Sequence, residues 1–240
     1  MTIATTTLAS TEGRLLARMS ALWAGFVLAV ALCTVWGVGA GLRWGEFGAD
    51  SGRAALVPAG VLILLGHLAA SRDDRSGAAE FTGTLPAPPR RRALALLAFI
   101  PVAGAAGALI EGVELAVLRP SGRPDLWLLA VPVLIPMIGA VLGIAAGLWW
   151  PATPAGPLTL FAAAALLATL PVLGSNPDGL AWRLFPVVLE TTPGGTGRHV
   201  VYLVAVLAAL VGAALARHWR RWAPVVVVVG IITAVVAVRR

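Results

Sequence analysis

The amino-acid sequence predicts an all-α polytopic membrane protein, a single domain over residues 1–240 built as a bundle of six transmembrane helices plus a short seventh. Three observations carry this expectation. Of 240 residues, 59% are hydrophobic and 12% charged, where a soluble domain carries roughly a quarter charged. Mean hydropathy is +0.89. The apolar residues form long blocks separated by short polar or arginine-bearing stretches, a pattern that a water-soluble core with surface elements does not produce. A soluble enzyme is excluded on these grounds.

Residues 1–13 read as a loose polar tail, and Glu12 to Arg18 as a short helix on the membrane surface. The first apolar block, 19–42, is longer than the ~7–15 apolar residues of a signal peptide and is read as a retained span. Further blocks follow at 54–70, 93–118, 127–150, 158–174, 200–216 and 224–238. The last is short: fifteen or so residues rise only ~22 Å, against a hydrocarbon core of ~30 Å. Pro58, Pro101, Pro132, Pro136 and Pro171 lie inside blocks and predict bent helices, which a bundle tolerates where neighbours satisfy the freed carbonyls. Trp44, Trp127, Trp149, Trp150, Trp182, Trp219 and Trp222 stand at block edges, where an amphipathic indole prefers the headgroup level.

Basic residues in short loops tend to stay in the cytoplasm, so the arginines set the orientation. A cytoplasmic N-terminus puts Arg14, Arg18, Arg72, Arg75, Arg90, Arg91, Arg92, Arg217, Arg220 and Arg221 inside. It leaves Arg43, Arg53, Arg119, Arg123, Arg183 and Arg198 outside, with Arg239 and Arg240 joining them if block 224–238 crosses. The bias is modest and favours this orientation.

All 18 basic residues are arginine. Without a lysine there is no Schiff-base chemistry and no phosphate-binding GxxxxGK[ST] loop, so any ATP must be hydrolysed by a partner. The single cysteine, Cys33, excludes an intrachain disulfide and a cysteine-based zinc framework. His67, His199 and His218 are far apart and show no metal-ligand spacing. No cofactor, metal or nucleic acid is expected on this chain.

Two features inside the apolar blocks stand out. Gly139, Gly143 and Gly147 form a GxxxGxxxG stripe on one helix face, a device that brings two backbones close either within a subunit or between subunits. Glu111 and Glu114 lie three apart on one face; an intramembrane carboxylate suggests a proton relay or an ion or substrate path. Their distance along the helix from Ala93, ~27 Å, also fits a structural pair near the outer interface with Arg119 close by. The 175–199 connection is too polar to span yet holds the apolar knot 180–189. It reads as an extracytoplasmic interfacial or re-entrant segment with a glycine-rich hinge at 192–198.

The longest inner polar stretch, 71–92, reads SRDDRSGAAEFTGTLPAPPRRR. Asp74 and Arg75, then Gly77, Glu80 and Phe81, then Leu85 and Pro86, and finally Arg90 to Arg92 make a short amphipathic segment ended by proline. In that order and spacing the segment resembles the loop between the second and third spans of type-2 ABC exporter permeases, in particular their divergent actinobacterial branch. Ala78 departs from the family's usual threonine, and Phe81 from its usual leucine.

The resemblance implies a cytoplasmic coupling helix at 71–92 that docks into a separate ABC ATPase subunit. It also implies a second permease subunit, as a homodimer or heterodimer, with ATP and magnesium held in the partner ATPase. A multi-pass permease of a bacterial plasma membrane, exporting an amphipathic or hydrophobic substrate and performing no catalysis itself, is the function expected on this basis. Two other readings stay open on the residues: a proton-coupled secondary transporter using Glu111 and Glu114, and a non-transporting anchor or immunity-type subunit.

Overall fold

A computed structural model describes residues 3–37, 43–75, 89–173, 184, 186–187, 195–219 and 222–239. Every regular element among them is a helix. Four segments are long and apolar enough to cross a membrane: Trp44–Ala70, Arg90–Leu118, Leu126–Trp149 and Thr196–Ala216. Thr5–Ala17 and Ser20–Val35, bent by 55° at the break between them, pass the same test together, and Ala155–Thr169 and Ala223–Val238 are shorter apolar helices. The chain is an all-helical protein with the apolar spans of a membrane protein.

The first helix, α1 (Ile3–Ala17), corrects the expectation of a loose tail over residues 1–13. Its Thr5, Gly13 and Leu16 are buried while Arg14 and Arg18 beside them are exposed, so it is a surface helix with one packed side. Gly13 sits against Ala98 and Val102, and Leu16 enters a core cluster with Leu22, Phe26, Leu62, Leu96 and Phe99. The uncharged α2 (Ser20–Gly37) then turns away, and the Trp23 indole donates to the Ala17 carbonyl at 2.7 Å, satisfying one acceptor at the helix end.

A second correction concerns residues 44–54, expected as an outer connection. They form α3 (Trp44–Ala54), opened by the Glu46 carboxylate accepting the Arg43 backbone N–H at 3.0 Å. Phe47, Gly48, Ala49, Ser51, Gly52 and Ala54 are buried, leaving Arg53 on the exposed side beside Asp50 at 2.8 Å. Helix α4 (Leu56–Ala70) continues the same segment after a break at Ala55. The next break falls between α6 (Pro89–Leu96) and α7 (Phe99–Leu118), after the four-residue α5 (Arg72–Arg75). Each break lies just ahead of a proline, Pro58 or Pro101, whose ring clashes with the carbonyl four residues earlier and which lacks the N–H to bond it.

The remaining helices are α8 (Leu126–Trp149), α9 (Ala155–Leu173), α10 (Thr196–Ala216) and α11 (Ala223–Arg239). Asp125 starts α8 by accepting the Trp127 N–H at 3.0 Å, and its other oxygen accepts the Thr196 hydroxyl at 2.8 Å, tying the start of α10 to the start of α8. At the opposite end the Trp149 indole donates to the Ala213 carbonyl at 2.8 Å, and Arg217 donates to the Leu148 carbonyl. Helices α8 and α10 are therefore clamped in parallel at both ends. Helix α11 turns back along α10, with Gly212 against Ala223 and Val227, and Gly230 against Ala205 and Ala209.

Helices α4 and α8 meet backbone to backbone. A Cβ on Gly139 would stand 2.5 Å from the Ala59 carbonyl oxygen, and one on Gly147 2.8 Å from that of His67; on Gly143 it would collide with the Ile63 carbonyl. From the other side, a Cβ on Gly66 would meet the Ala140 oxygen at 2.7 Å. The glycine stripe thus packs within the chain, backbone against backbone. Gly143→Ala must displace α4 and is expected to lower stability by about 1–3 kcal/mol. Gly112, with nothing within 4 Å of an added Cβ, is the control: Gly112→Ala leaves stability unchanged or raises it. Thermal unfolding of the two variants in detergent checks the contrast.

Candidate functional site

Two polar regions lie at opposite ends of the bundle. Toward the end marked by the backbone bridge between Arg43 and Ser121, α2, α3, α4, α7 and α8 converge on a polar pocket inside otherwise apolar packing. Ser51 on α3 donates its hydroxyl to Glu111 Oε2 on α7 at 2.5 Å, across 60 residues of sequence. Glu114, one turn further along α7, faces Ser51 and the Cys33 thiol of α2. Glu111 is 4% exposed, Glu114 2% and Cys33 0%. A void of ≈ 10 Å³, on the order of one water, is lined by both carboxylates and Ser51 together with Phe26, Gly107 and Pro132. Glu111 Oε1 is buried without a hydrogen-bond partner among the protein atoms.

Arg119, expected close to the pair, makes no ion pair with either carboxylate among the described residues. That residue ends α7 in the left-handed conformation, φ 46°, and its exposed side chain folds back to donate to the Ala116 carbonyl at 3.3 Å. The carboxylates turn instead toward α3. Ser51 carries no signal of this in the sequence, since it stands in a polar stretch that reads as a loop; only the helical burial of α3 brings it inward. No group of three or more His, Cys, Asp or Glu side chains able to hold a metal ion occurs among the described residues.

At the opposite end, α1, α5, α6 and the residues after α10 converge. Arg72 pairs with Glu12 at 2.9 Å and Arg92 with Asp73 at 2.7 Å, so α5 is linked to both α1 and α6. The Ser71 hydroxyl closes onto the His67 carbonyl at 2.7 Å, and Arg75 donates to the Leu68 carbonyl at 3.1 Å. Asp74 and Arg75 are both exposed. His218 belongs to the same region: burial lowers its pKa, and Arg217 and Arg90 lower it further. Gly77, Glu80, Phe81, Leu85 and Pro86 lie outside the described residues.

Of the 175–199 connection, Leu184, Pro186 and Val187 are described before the chain resumes at Gly195. The Leu184 carbonyl accepts the Tyr202 hydroxyl at 3.0 Å, and the Pro186 carbonyl lies 2.9 Å from His199 Nε2. Val187 is buried against Gly52, in a cluster with Val131, Ile135 and Leu203. This part of the connection is tucked between α3, α8 and α10.

No protein-family model, curated protein or solved structure matches the chain.

The packing around Cys33 gives a direct test of the pocket. As the chain's single cysteine, it is expected to resist maleimide in the folded protein and to label only on unfolding. Glu114→Ala, which removes the carboxylate facing it, accelerates labelling under native conditions. Ser51→Ala strips Glu111 of its donor and lowers the unfolding midpoint, a loss of about 1–3 kcal/mol. Labelling rates and thermal unfolding of the three proteins read both effects.

Proposed function

We propose that the chain is the membrane-spanning subunit of an ATP-driven ABC exporter, coupled to separate ATPase subunits through the 71–92 segment. The observation that carries this reading is the anchoring of that segment. Its two described flanks, α5 and the start of α6, stand at the same end of the bundle, joined by the Arg92–Asp73 pair and tied through Arg72 to Glu12 of α1. A segment held at both ends delivers a push to the helices on either side of it, α4 and α7, which is what nucleotide-driven closure of a partner requires. Exposed Asp74 and Arg75 offer the partner charge of both signs.

In this reading α2, α3–α4, α6–α7, α8, α9 and α10 cross the membrane, with the N-terminus and the α5–α6 end in the cytoplasm. Helix α11 is the seventh crossing. Its 17 residues rise about 25 Å, and its far end reaches Trp127, Gly197 and Arg198 at the start of α8 and α10. Apolar side chains of α11, including Val225, Val228, Val229, Ile231 and Ile232, are exposed, as lipid contact or a second permease subunit demands. Hydrolysis in the ATPase moves the coupling segment, and a path for an amphipathic or hydrophobic substrate opens between two such subunits.

The test is affinity purification of the tagged protein in mild detergent from its native membrane, compared with a Glu80→Ala, Pro86→Ala double variant. Wild type is expected to bring down an ATPase with a phosphate-binding loop, and the double variant to lose it while remaining folded. Recovery of the folded wild-type chain without any ATPase, under conditions that preserve known complexes, overturns the reading.

A further inference from the structure

The pocket between α3 and α7 is not used by the coupling argument, and its chemistry is specific. It brings two carboxylates together in apolar packing with one hydroxyl and one thiol, and among the described residues neither carboxylate has an ion pair. On α3, Arg53 pairs with Asp50; at the end of α7, Arg119 bonds its own helix. Helix α2 contributes Cys33, and α8 contributes Pro132, which has no donor. Ser51 has a single proton and gives it to Glu111 Oε2, leaving Oε1 buried and unpartnered in a residue that lines the void. A carboxylate charge held in such surroundings without a countercharge is costly, and two within one helical turn more so. An arrangement of acceptors short of hydrogens, with no third carboxylate or imidazole among the described residues to complete a metal shell, calls for a hydrogen.

We propose that Glu111, Glu114 and Ser51 form a proton-binding site inside the bundle. Hydronium gives one proton to Glu111 Oε1 and departs as water; the new O–H bond is the only one formed, and the Ser51 hydrogen bond to Oε2 persists. The void, the size of one water, is the place from which the proton is delivered. Ser51 lies seven residues from Trp44 and Glu111 seven from Leu118, about 10 Å from the Arg43–Ser121 end, whereas the start of α6 is about 30 Å away. Exchange therefore occurs with the Arg43–Ser121 side. Departure of the proton leaves an uncompensated charge where α2, α3, α4, α7 and α8 meet, so the packing of those five helices is what the proton controls. The site does not depend on the exporter reading, since it is defined by side chains remote from the coupling segment.

Infrared difference spectroscopy of the full chain in lipid nanodiscs, titrated upward from about pH 6, where exposed Asp and Glu are already ionised, in H2O and D2O, reads the proton directly. The expected result is a deuterium-sensitive carboxylic C=O band, equivalent to one carboxyl per chain, that bleaches as pH rises. It is absent from Glu111→Gln and retained in Glu46→Gln, whose amide still caps α3. In Ser51→Ala, which keeps both carboxyls, the band moves to higher frequency because the C=O loses its hydrogen bond. That second variant decides the matter if Glu111→Gln fails to fold. A wild-type spectrum identical to that of folded Glu111→Gln overturns the proposal, and so does a band unmoved by Ser51→Ala. Loss of the band on adding sodium chloride at constant pH also overturns it, by placing a metal cation in the pocket instead of a proton.

Discussion

The backbone contact of α4 with α8 is the constraint on which the rest of the molecule depends. In lipid the solvent is as apolar as the side chains, so helices associate by fit rather than by escape from water. Gly139, Gly143 and Gly147 let α8 approach the carbonyls of Ala59, Ile63 and His67, and Gly66 answers from α4. Neighbouring helices are placed from this pair. Helix α10 is clamped to α8 through Asp125 at one end and through Trp149 and Arg217 at the other. Helix α9 enters beside it with Gly156 against the His67 ring, and α7 lies on α8 with Gly107 against the Val133 backbone.

Breaks in the helices matter as much as their contacts. Pro58 interrupts the α3–α4 segment and Pro101 the α6–α7 segment, each about one turn into the helix that follows the break. The first break leaves α3 as a separate, partly polar helix whose buried side carries Ser51, Gly52 and Ala54. The second is covered by α1, through Gly13 against Ala98 and Val102. The same interruptions that divide the two spans thus create a polar interior at one end and a place for the surface helix at the other.

The parts legible in the sequence are those where one residue type repeats along one helix. Apolar blocks, their tryptophan edges and the glycine stripe are such patterns, and the structure has a helix for each block and a partner for the stripe. Helix α3 and the part of α1 before Glu12 were not legible, because threonine, serine, glycine and charged residues hide a helical burial pattern when the packed face is built from small side chains. The carboxylate pair was legible as a pair, but its hydrogen-bond partner was not. Depth along α7 was read from the sequence, but Ser51 lies 60 residues away and Arg119 turns aside.

Composition and block length alone determined that the chain is helical and apolar enough to enter a membrane, since every backbone group in lipid must be bonded within its own segment. The sequence alone also determined that the chain has no lysine for a phosphate loop and no cysteine pair. Only the tertiary structure decided that the glycine stripe faces α4, that Val187 of the 175–199 connection is buried between α3, α8 and α10, and that Glu111 meets Ser51. The physical reason is the range of the interaction. Hydrogen bonding within a helix is local and follows from the order of residues, whereas the choice of which helix faces which depends on steric fit between segments far apart in the chain.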